Sequence, residues 1–255
     1  MAEVADKIAR TAQMIVESES TVALTGAGIS TPSGIPDFRS PGSGLWEKVD
    51  PMEVATIYAF RANPGAFYRF MAPMSELVRD AKPNDAHIAL SELESMNFLK
   101  SVITQNIDNL HQRAGSKNVI ELHGNGERAY CLSCKKKYTR DEAASLVRQD
   151  EVPRCACGGL IKPDVILFGE QLPVHALLQA QSDAEGCSLM LIIGSSLTVA
   201  PASMLPQIAV RYGAKVIIIN LQPTYMDNYA ELTMNDKVEV ILPAIVEKVK
   251  EMRMN

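Results

Sequence analysis

The chain has 255 residues, of which 47% are apolar, so it can bury a full hydrophobic core without disulfides. Its formal charge of −5 and its aromatic content of 5% argue against a direct nucleic-acid interface. No apolar stretch of the sequence is long enough to span a bilayer as a helix. The first residues also lack the basic start of a signal peptide, so we predict a cytoplasmic protein without membrane contact.

The elements predicted in chain order alternate between helices and strands. Residues 4–16 carry apolar side chains at helical spacing. Buried strands are predicted at residues 21–25, 99–104, 118–122, 189–193 and 215–219, and further helices at residues 86–96, 174–184 and 242–254. Short apolar strands separated by amphipathic helices are typical of a doubly wound α/β fold with a parallel sheet.

Two regions interrupt this alternation. One is residues 31–80, a loop rich in proline and glycine that continues into a helical stretch, and the other is the cysteine-bearing segment 128–162. We interpret both as insertions that form a small lobe. Residues 1–30, 81–127 and 163–255 then form the large lobe, and the cleft between the lobes is a place for a ligand.

Polar or small residues follow several of the predicted strands. Gly26 and Gly28 come directly after the first strand, where a tight turn lets phosphate oxygens approach the backbone, although many structural turns also contain two glycines. The third glycine of the usual G-x-G-x-x-G pattern is replaced in effect by Gly34, which disfavours a standard hydride-transferring dehydrogenase. Other strands are followed by Gln105, Asn106, Ile107 and Asp108, by Gly194, Ser195 and Ser196, and by Asn220. Ligands of open α/β sheets bind at such strand ends.

Four cysteines, Cys131, Cys134, Cys155 and Cys157, form two pairs. Their spacing is close to that of a four-thiolate zinc site, which would be structural because no coordination position stays open. The second pair has one intervening residue where two are usual. A zinc ribbon that binds DNA is the alternative, and the acidic charge balance argues against it.

His123 directly follows a predicted strand and is the natural candidate for a base near neutral pH. A histidine that only bonds a backbone carbonyl is the simpler alternative. His87 and His111 fall on predicted helices, and we interpret them as packing residues.

Six motifs occur in an order and spacing that closely resemble the sirtuin family. They are Gly-Ala-Gly-Ile-Ser at 26–30, Gly-Ile-Pro-Asp-Phe-Arg at 34–39, Thr-Gln-Asn-Ile-Asp at 104–108, Leu-His-Gly at 122–124, Phe-Gly-Glu at 168–170 and Gly-Ser-Ser-Leu at 194–197. The resemblance covers about residues 21–240. It implies a Rossmann-like lobe, a smaller zinc-binding lobe, and NAD⁺ consumed as a co-substrate between them.

The resemblance also implies roles for individual positions. Residues that would contact the dinucleotide are Gly26, Ala27, Gly28, Asp37, Phe38, Arg39, Gln105, Gly194, Ser195, Ser196, Asn220 and Val238. Asn106, Ile107 and Asp108 would surround the nicotinamide ribose and carboxamide, with His123 as general base and Asn106 as a second catalytic residue. Val165, Ile166 and Phe168 would form an acyl-lysine tunnel, and Gly169, Glu170 and Leu197 would flank a peptide strand.

The implied reaction removes an acyl group from a lysine of a protein or peptide and yields nicotinamide, O-acyl-ADP-ribose and the free lysine. Phe38 would act as a lid over the reacting centre. Sirtuins that remove succinyl or malonyl groups resemble one another in a Tyr-x-x-Arg pair, which corresponds here to Met71 and Met74. Neither methionine can pair with a carboxylate, so we expect acetyl or longer apolar acyl groups to be preferred.

Two other functions fit parts of the same pattern. An NAD⁺-dependent mono-ADP-ribosyltransferase would use the same cleft, and a non-catalytic module would bind zinc and NAD⁺ without turnover. His123 and Asn106 favour deacylation over both. By analogy alone, an acetylated chromatin protein is a candidate target.

Overall fold

The structure, a computed structural model, describes residues 2–37, 44, 49–147 and 152–254. Its helices are α1 (Ala2–Glu17), α2 (Pro51–Val54), α3 (Ile57–Ala62), α4 (Pro64–Asp80), α5 (Asp85–Ser95), α6 (Leu110–Arg113), α7 (Arg140–Ser145), α8 (Val174–Gly186), α9 (Leu205–Arg211) and α10 (Val238–Met254). Its strands are β1 (Thr21–Thr25), β2 (Ser101–Thr104), β3 (Val119–Glu121), β4 (Gly124–Cys131), β5 (Lys137–Thr139), β6 (Ile161–Val165), β7 (Leu189–Ile193), β8 (Lys215–Ile219) and β9 (Leu232–Met234).

Six strands form a parallel sheet in the order β3-β2-β1-β7-β8-β9. This is the doubly wound arrangement, in which the strand order reverses between β1 and β7 and opens a crevice at their carboxyl ends. The predicted fold class is confirmed. Strand β9 lies outside the predicted strands because three residues are too short to show an apolar pattern.

Alternate residues of the buried strands pack on opposite faces of the sheet. Ala23 and Leu191 point into a core with helices α1, α5 and α10, whereas Leu24 and Ile192 point into a core with α8 and α9. Each fully buried aliphatic side chain contributes about 1.5–3 kcal/mol. Among the described residues, no helix combines the length and apolar character that a bilayer crossing needs.

A second, antiparallel sheet has the order β5-β4-β6. It begins at Gly124 and ends at Val165, a few residues outside the predicted segment 128–162. Helix α7 packs on it through Ala143. Helices α3 and α4 pack against the end of β6, where Phe60, Phe67 and Val165 share an apolar cluster.

Candidate active site

A cavity of about 1050 Å³ lies at the carboxyl ends of β1, β2, β7 and β8 and is closed on its other side by α4 and the residues after β6. The predicted site residues that line it are Gly26, Ala27, Gly28, Asp37, Gln105, Asn106, Ile107, Asp108, His123, Val165, Ile166, Phe168, Gly169, Glu170, Gly194, Ser195, Ser196, Asn220 and Val238. Segments that are far apart in sequence therefore meet in one cavity.

Three further residues are predicted to contact NAD⁺ or the peptide. Phe38 and Arg39 lie outside the described residues. Leu197 is 3% exposed and packs in the core between the sheet and helices α8 and α9. Its φ of 53° is unusual for a leucine, and neither feature can be read from its Gly-Ser-Ser-Leu motif.

Gly28 and Gly194 bring the ends of β1 and β7 into direct backbone contact. The Gly28 amide donates to the Gly194 carbonyl at 2.8 Å. A Cβ at Gly28 would lie 2.8 Å from the Gly194 Cα, and one at Gly194, whose φ is +59°, would lie 2.4 Å from the Ile29 nitrogen. These glycines therefore have a structural reason to be glycine, in addition to opening the floor of the cavity.

A connected set of polar side chains lies at the end of β2. The Asn106 amide donates to the Gly26 carbonyl and to the Ser30 hydroxyl, both at 3.1 Å, and the Ser30 hydroxyl donates to Asp108 at 2.7 Å. Asp108 also accepts the Leu110 amide at 2.9 Å. Burial raises the pKa of Asp108, against the opposing effect of these hydrogen bonds.

His123 is half-buried and lies between β3 of the large sheet and β4 of the small one. Its Nδ1 is 2.9 Å from the Gln105 carbonyl, which can only accept, so Nδ1 carries the proton. In the neutral ring Nε2 is then the basic nitrogen. The carbonyl bond of the simpler alternative is present, and it fixes the tautomer that a general base requires.

Beneath this polar set, His87 and His111 are buried with their ring centroids 4.9 Å apart. His111 Nε2 lies 2.9 Å from the Thr25 hydroxyl. Burial lowers the pKa of His87 to about 4 and that of His111 to about 3, so both are neutral at pH 7. The sequence places each on a helix but gives no sign of their contact.

Helix α4 contributes wall residues, of which the resemblance to sirtuins points only to Met71 and Met74. Met71 and Met74 line the cavity together with Tyr68 and Arg69. The Tyr68 hydroxyl donates to the Ile161 carbonyl at 2.5 Å, and burial raises its pKa. Periodicity on α4 would have found Tyr68 and Met71, which lie one turn apart.

The four predicted metal-ligating cysteines come together in the small sheet. Their Sγ atoms all lie within 4.8 Å of one another, and those of Cys131 and Cys157 and of Cys134 and Cys155 are 3.6 Å apart. A tetrahedral zinc ion with bonds of about 2.3 Å would separate its sulfurs by about 3.8 Å. This confirms a four-cysteine group suited to structural zinc, despite the short Cys155-x-Cys157 spacing.

The Rossmann-like sheet, the crevice at its switch point and the four-cysteine module define an α/β enzyme with a dinucleotide-type cleft and a structural metal site. A sequence model of the Sir2 family matches residues 26–201. The chain belongs to the Sir2 family, which confirms the resemblance to sirtuins.

Relatives and solved structures agree with this assignment. The chain is 48% identical to an NAD-dependent protein deacetylase of Sulfolobus acidocaldarius over 95% of both chains. It is 47% identical to NAD-dependent protein deacylase 2 of Archaeoglobus fulgidus over 97% of this chain and 98% of that one. A structure of Sir2Tm bound to a propionylated peptide superposes with a TM-score of 0.87 at 45% identity, covering 95% of this chain and 98% of that one.

Proposed function

We propose that this chain, a Sir2-family NAD-dependent protein deacylase, removes acetyl and longer apolar acyl groups from lysine and acts poorly on succinyl and malonyl groups. The observation that carries the proposal is the wall of the cavity on α4, where Met71 and Met74 stand. An acidic acyl group there would lose its hydration without gaining a cationic partner.

NAD⁺ is proposed to lie across the switch point of the parallel sheet. The backbone at Gly26–Gly28 and the polar groups of Ser195 and Asn220 line that part of the cavity. Gln105 donates to the Ser195 hydroxyl at 2.9 Å, which ties the two strand ends together. The set formed by Asn106, Ser30 and Asp108 offers amide and carboxyl groups for the nicotinamide ribose and carboxamide.

His123 is proposed as the general base, since the Gln105 carbonyl holds its proton on Nδ1 and His123 lines the cavity. Once the acyl amide oxygen has displaced nicotinamide from the ribose, Nε2 would accept the proton of a ribose hydroxyl, whose oxygen would add to the acyl carbon. Water would then release the lysine as a free amine and leave the acyl group on the ribose. Asn106 would orient the attacking group. Val165, Ile166 and Phe168 would enclose the acyl-lysine chain, with Gly169 and Glu170 beside the peptide.

Three arginines also line the cavity, and each has a partner within the described chain. Arg128 pairs with Glu121 and Asp164, and Arg140 pairs with Glu127. The guanidinium of Arg69 lies over Gly65 one turn earlier in α4. Arg128 and Arg140 are thus already engaged by carboxylates of this chain, whereas an arginine at position 71 or 74 would add a cation to the α4 wall itself.

Longer apolar chains are supported by the lining of the same cavity. It includes Val78 of α4, Ala143 and Ala144 of α7, and Val147 shortly after α7. These side chains are small or apolar. Methionine side chains adapt readily to different apolar shapes, so Met71 can move aside for an acyl chain.

The test compares one peptide carrying acetyl-, decanoyl- or succinyl-lysine at equal concentration, followed by mass spectrometry with and without NAD⁺. We expect kcat/KM for the succinyl peptide to be at least about a hundredfold below that for the acetyl peptide, because about 3 kcal/mol is a modest cost for an unpaired buried carboxylate. Met71→Arg should raise succinyl turnover, and Met71→Leu is the matched apolar control. Equal turnover of the two peptides, or an ADP-ribosylated peptide in place of acyl loss, would contradict the proposal.

A further inference from the structure

Lys162 is the buried cation of the described chain that the proposed chemistry does not use. Its side chain is 1% exposed, and it lies on β6, three residues before Val165 of the cavity wall. Burying a charged ammonium is costly unless it is paired and hydrogen-bonded. The contacts of the Lys162 ammonium should therefore show which part of the structure requires a buried charge.

The Lys162 ammonium contacts both ends of the segment 165–170. Its Nζ donates to the Val165 carbonyl at 2.6 Å and lies 2.9 Å from Glu170 Oε2. The same carboxylate oxygen accepts the Leu167 amide at 2.8 Å. One buried ion pair thus closes this segment into a loop by holding its first carbonyl, its third amide and its last side chain.

The loop 165–170 is also attached to the two walls of the cavity. The Ile166 amide donates to the His123 carbonyl at 2.9 Å, and Phe168 exchanges backbone hydrogen bonds with Ala55 and Ile57 at 2.9 and 3.0 Å. Ile166, Leu167 and Phe168 line the cavity. A change in the shape of this loop would therefore alter its register against His123.

We propose that Lys162 is a positioning residue that shapes the loop 165–170 for binding of the acyl-lysine peptide. The inference rests on the proposed placement of the acyl-lysine chain against this loop. It also assigns Glu170 a role directed inward, toward Lys162 and the Leu167 amide. Without the ammonium, the Glu170 carboxylate is drawn toward water and releases Leu167, and the loop loses its fixed shape.

This role predicts a separation between the two substrates. The loop faces the acyl-lysine chain, whereas the NAD⁺ contacts proposed above come from the ends of β1, β2, β7 and β8. Loss of the Lys162 ammonium should therefore weaken the peptide and leave NAD⁺ almost unaffected. A general loss of stability would instead lower the active fraction and leave both KM values unchanged.

The experiment measures the KM of acetyl-lysine peptide and of NAD⁺ separately, together with peptide affinity by fluorescence anisotropy, for four variants. Lys162→Met should raise the peptide KM and Kd by about tenfold or more, while the NAD⁺ KM stays within about twofold. Lys162→Arg should restore part of the affinity, because it keeps the charge and the donors but places a larger, planar group in a buried site. Lys162→Met with Glu170→Gln should bind peptide better than Lys162→Met alone, because no unpaired carboxylate remains.

Lys100→Met is the matched control. Lys100 pairs at 2.8 Å with Asp183, a carboxylate that is 7% exposed, but it precedes β2 at the end of the sheet opposite the cavity. The Lys100→Met variant takes a lysine away from a buried carboxylate but does not alter the loop 165–170. It should therefore leave both KM values unchanged even if the stability of the protein falls.

The outcomes distinguish this inference from the proposed function. If the unsubstituted protein neither binds nor deacylates the peptide, the proposed function fails and the role of Lys162 fails with it. If the unsubstituted protein is active and Lys162→Met has an unchanged peptide KM, only the role of Lys162 is overturned. Should Lys162→Met not fold, Glu170→Gln takes its place, and an unchanged peptide KM in that variant also overturns the role.

Discussion

The two sheets of this molecule are stabilised by different physics. The parallel sheet is buried on both faces by aliphatic side chains from five helices. The antiparallel sheet has a small cluster in which cysteines replace much of the apolar core: Ala129, Cys131, Tyr138, Ala143, Cys155 and Ile161. A core of that size cannot offset the conformational entropy of its segment. We therefore expect the small sheet to depend on a bound metal for its stability and the large sheet to be independent of it.

Metal removal should lower the folding stability more than any substitution discussed below. The loss should be confined to the small sheet. Structural zinc contributes about 10–16 kcal/mol to the folding of small modules, so a chelator or Cys155→Ala should unfold residues 124–165. Amide hydrogen exchange measures this directly: protection should vanish in β4 and β6 and persist in β7 and β8. Cys187→Ala, outside the cluster and buried among α8 and β7, is the control. Simultaneous loss of protection in both sheets would show that the large sheet depends on the metal as well.

His123→Ala tests the residue that joins the two regions, since β3 ends before it and β4 begins after it. Removing a general base typically lowers kcat by about 10²–10⁴-fold. The affinity for NAD⁺ should change little, because the proposed dinucleotide contacts lie on other strands. His175→Ala, an exposed histidine of α8, is the matched control. A fully active His123→Ala enzyme would show that the base has been assigned to the wrong residue.

The sequence predicts the strands of the large sheet and their ends well, but it does not predict the contacts between buried polar groups. Short continuous apolar runs predict β1, β7 and β8 within a residue, and the rule that ligands bind at strand carboxyl ends predicts Asn106 and Asn220 at the cavity. Partnerships formed across the fold leave no such trace. A lysine on a short strand is expected to be exposed, and the burial of Lys162 depends on Glu170 and on the loop between them.

The contact between the two buried histidines is equally absent from the sequence pattern. His87 and His111 lie on different helices and meet only because α5 and α6 pack together. Interpreting them as packing residues agrees with their burial but does not reveal that His87 lies 3.5 Å from the Ser30 hydroxyl and His111 2.9 Å from the Thr25 hydroxyl. Spacing along the chain encodes elements and strand ends. It does not encode which buried polar groups meet.

That histidine pair predicts an acid sensitivity of the large sheet. Both folded-state pKa values, about 4 and about 3, lie below the unfolded value of about 6.5. The unfolded chain therefore binds more protons as the pH falls below 6.5, and stability decreases through that window, by up to about 1.4 kcal/mol per pH unit for each histidine. Above pH 6.5 the pair contributes no pH dependence.

Denaturant unfolding at pH 7, 6 and 5 would measure this slope. Asp108 acts in the opposite direction because its pKa is raised on folding, so the informative quantity is the difference between the unsubstituted protein and His111→Gln. The variant should lose about half of the slope that the pair contributes, whereas His175→Ala should keep all of it. Identical slopes for all three proteins would mean that the buried rings take up protons without unfolding.

The smallest expected loss of stability concerns the backbone contact between Gly28 and Gly194. This contact lies at the ends of β1 and β7, outside the apolar cores on the two faces of the large sheet. Gly28→Ala would place a Cβ 2.8 Å from the Gly194 Cα and carbonyl oxygen, and because both are backbone atoms they cannot move aside as a side chain would. We expect the variant to lose about 2 kcal/mol of folding stability and to bind NAD⁺ more weakly, since the ends of β1 and β7 must separate.

The control is Gly186→Ala, at the end of α8, where an added Cβ meets no other atom within 4 Å. Gly34→Ala would be a poor control because the φ of Gly34 is +86°. If Gly28→Ala keeps full stability but loses NAD⁺ affinity, the glycine is needed for the dinucleotide alone. If it loses both in proportion, the close packing of the two strand ends is what builds the dinucleotide cleft.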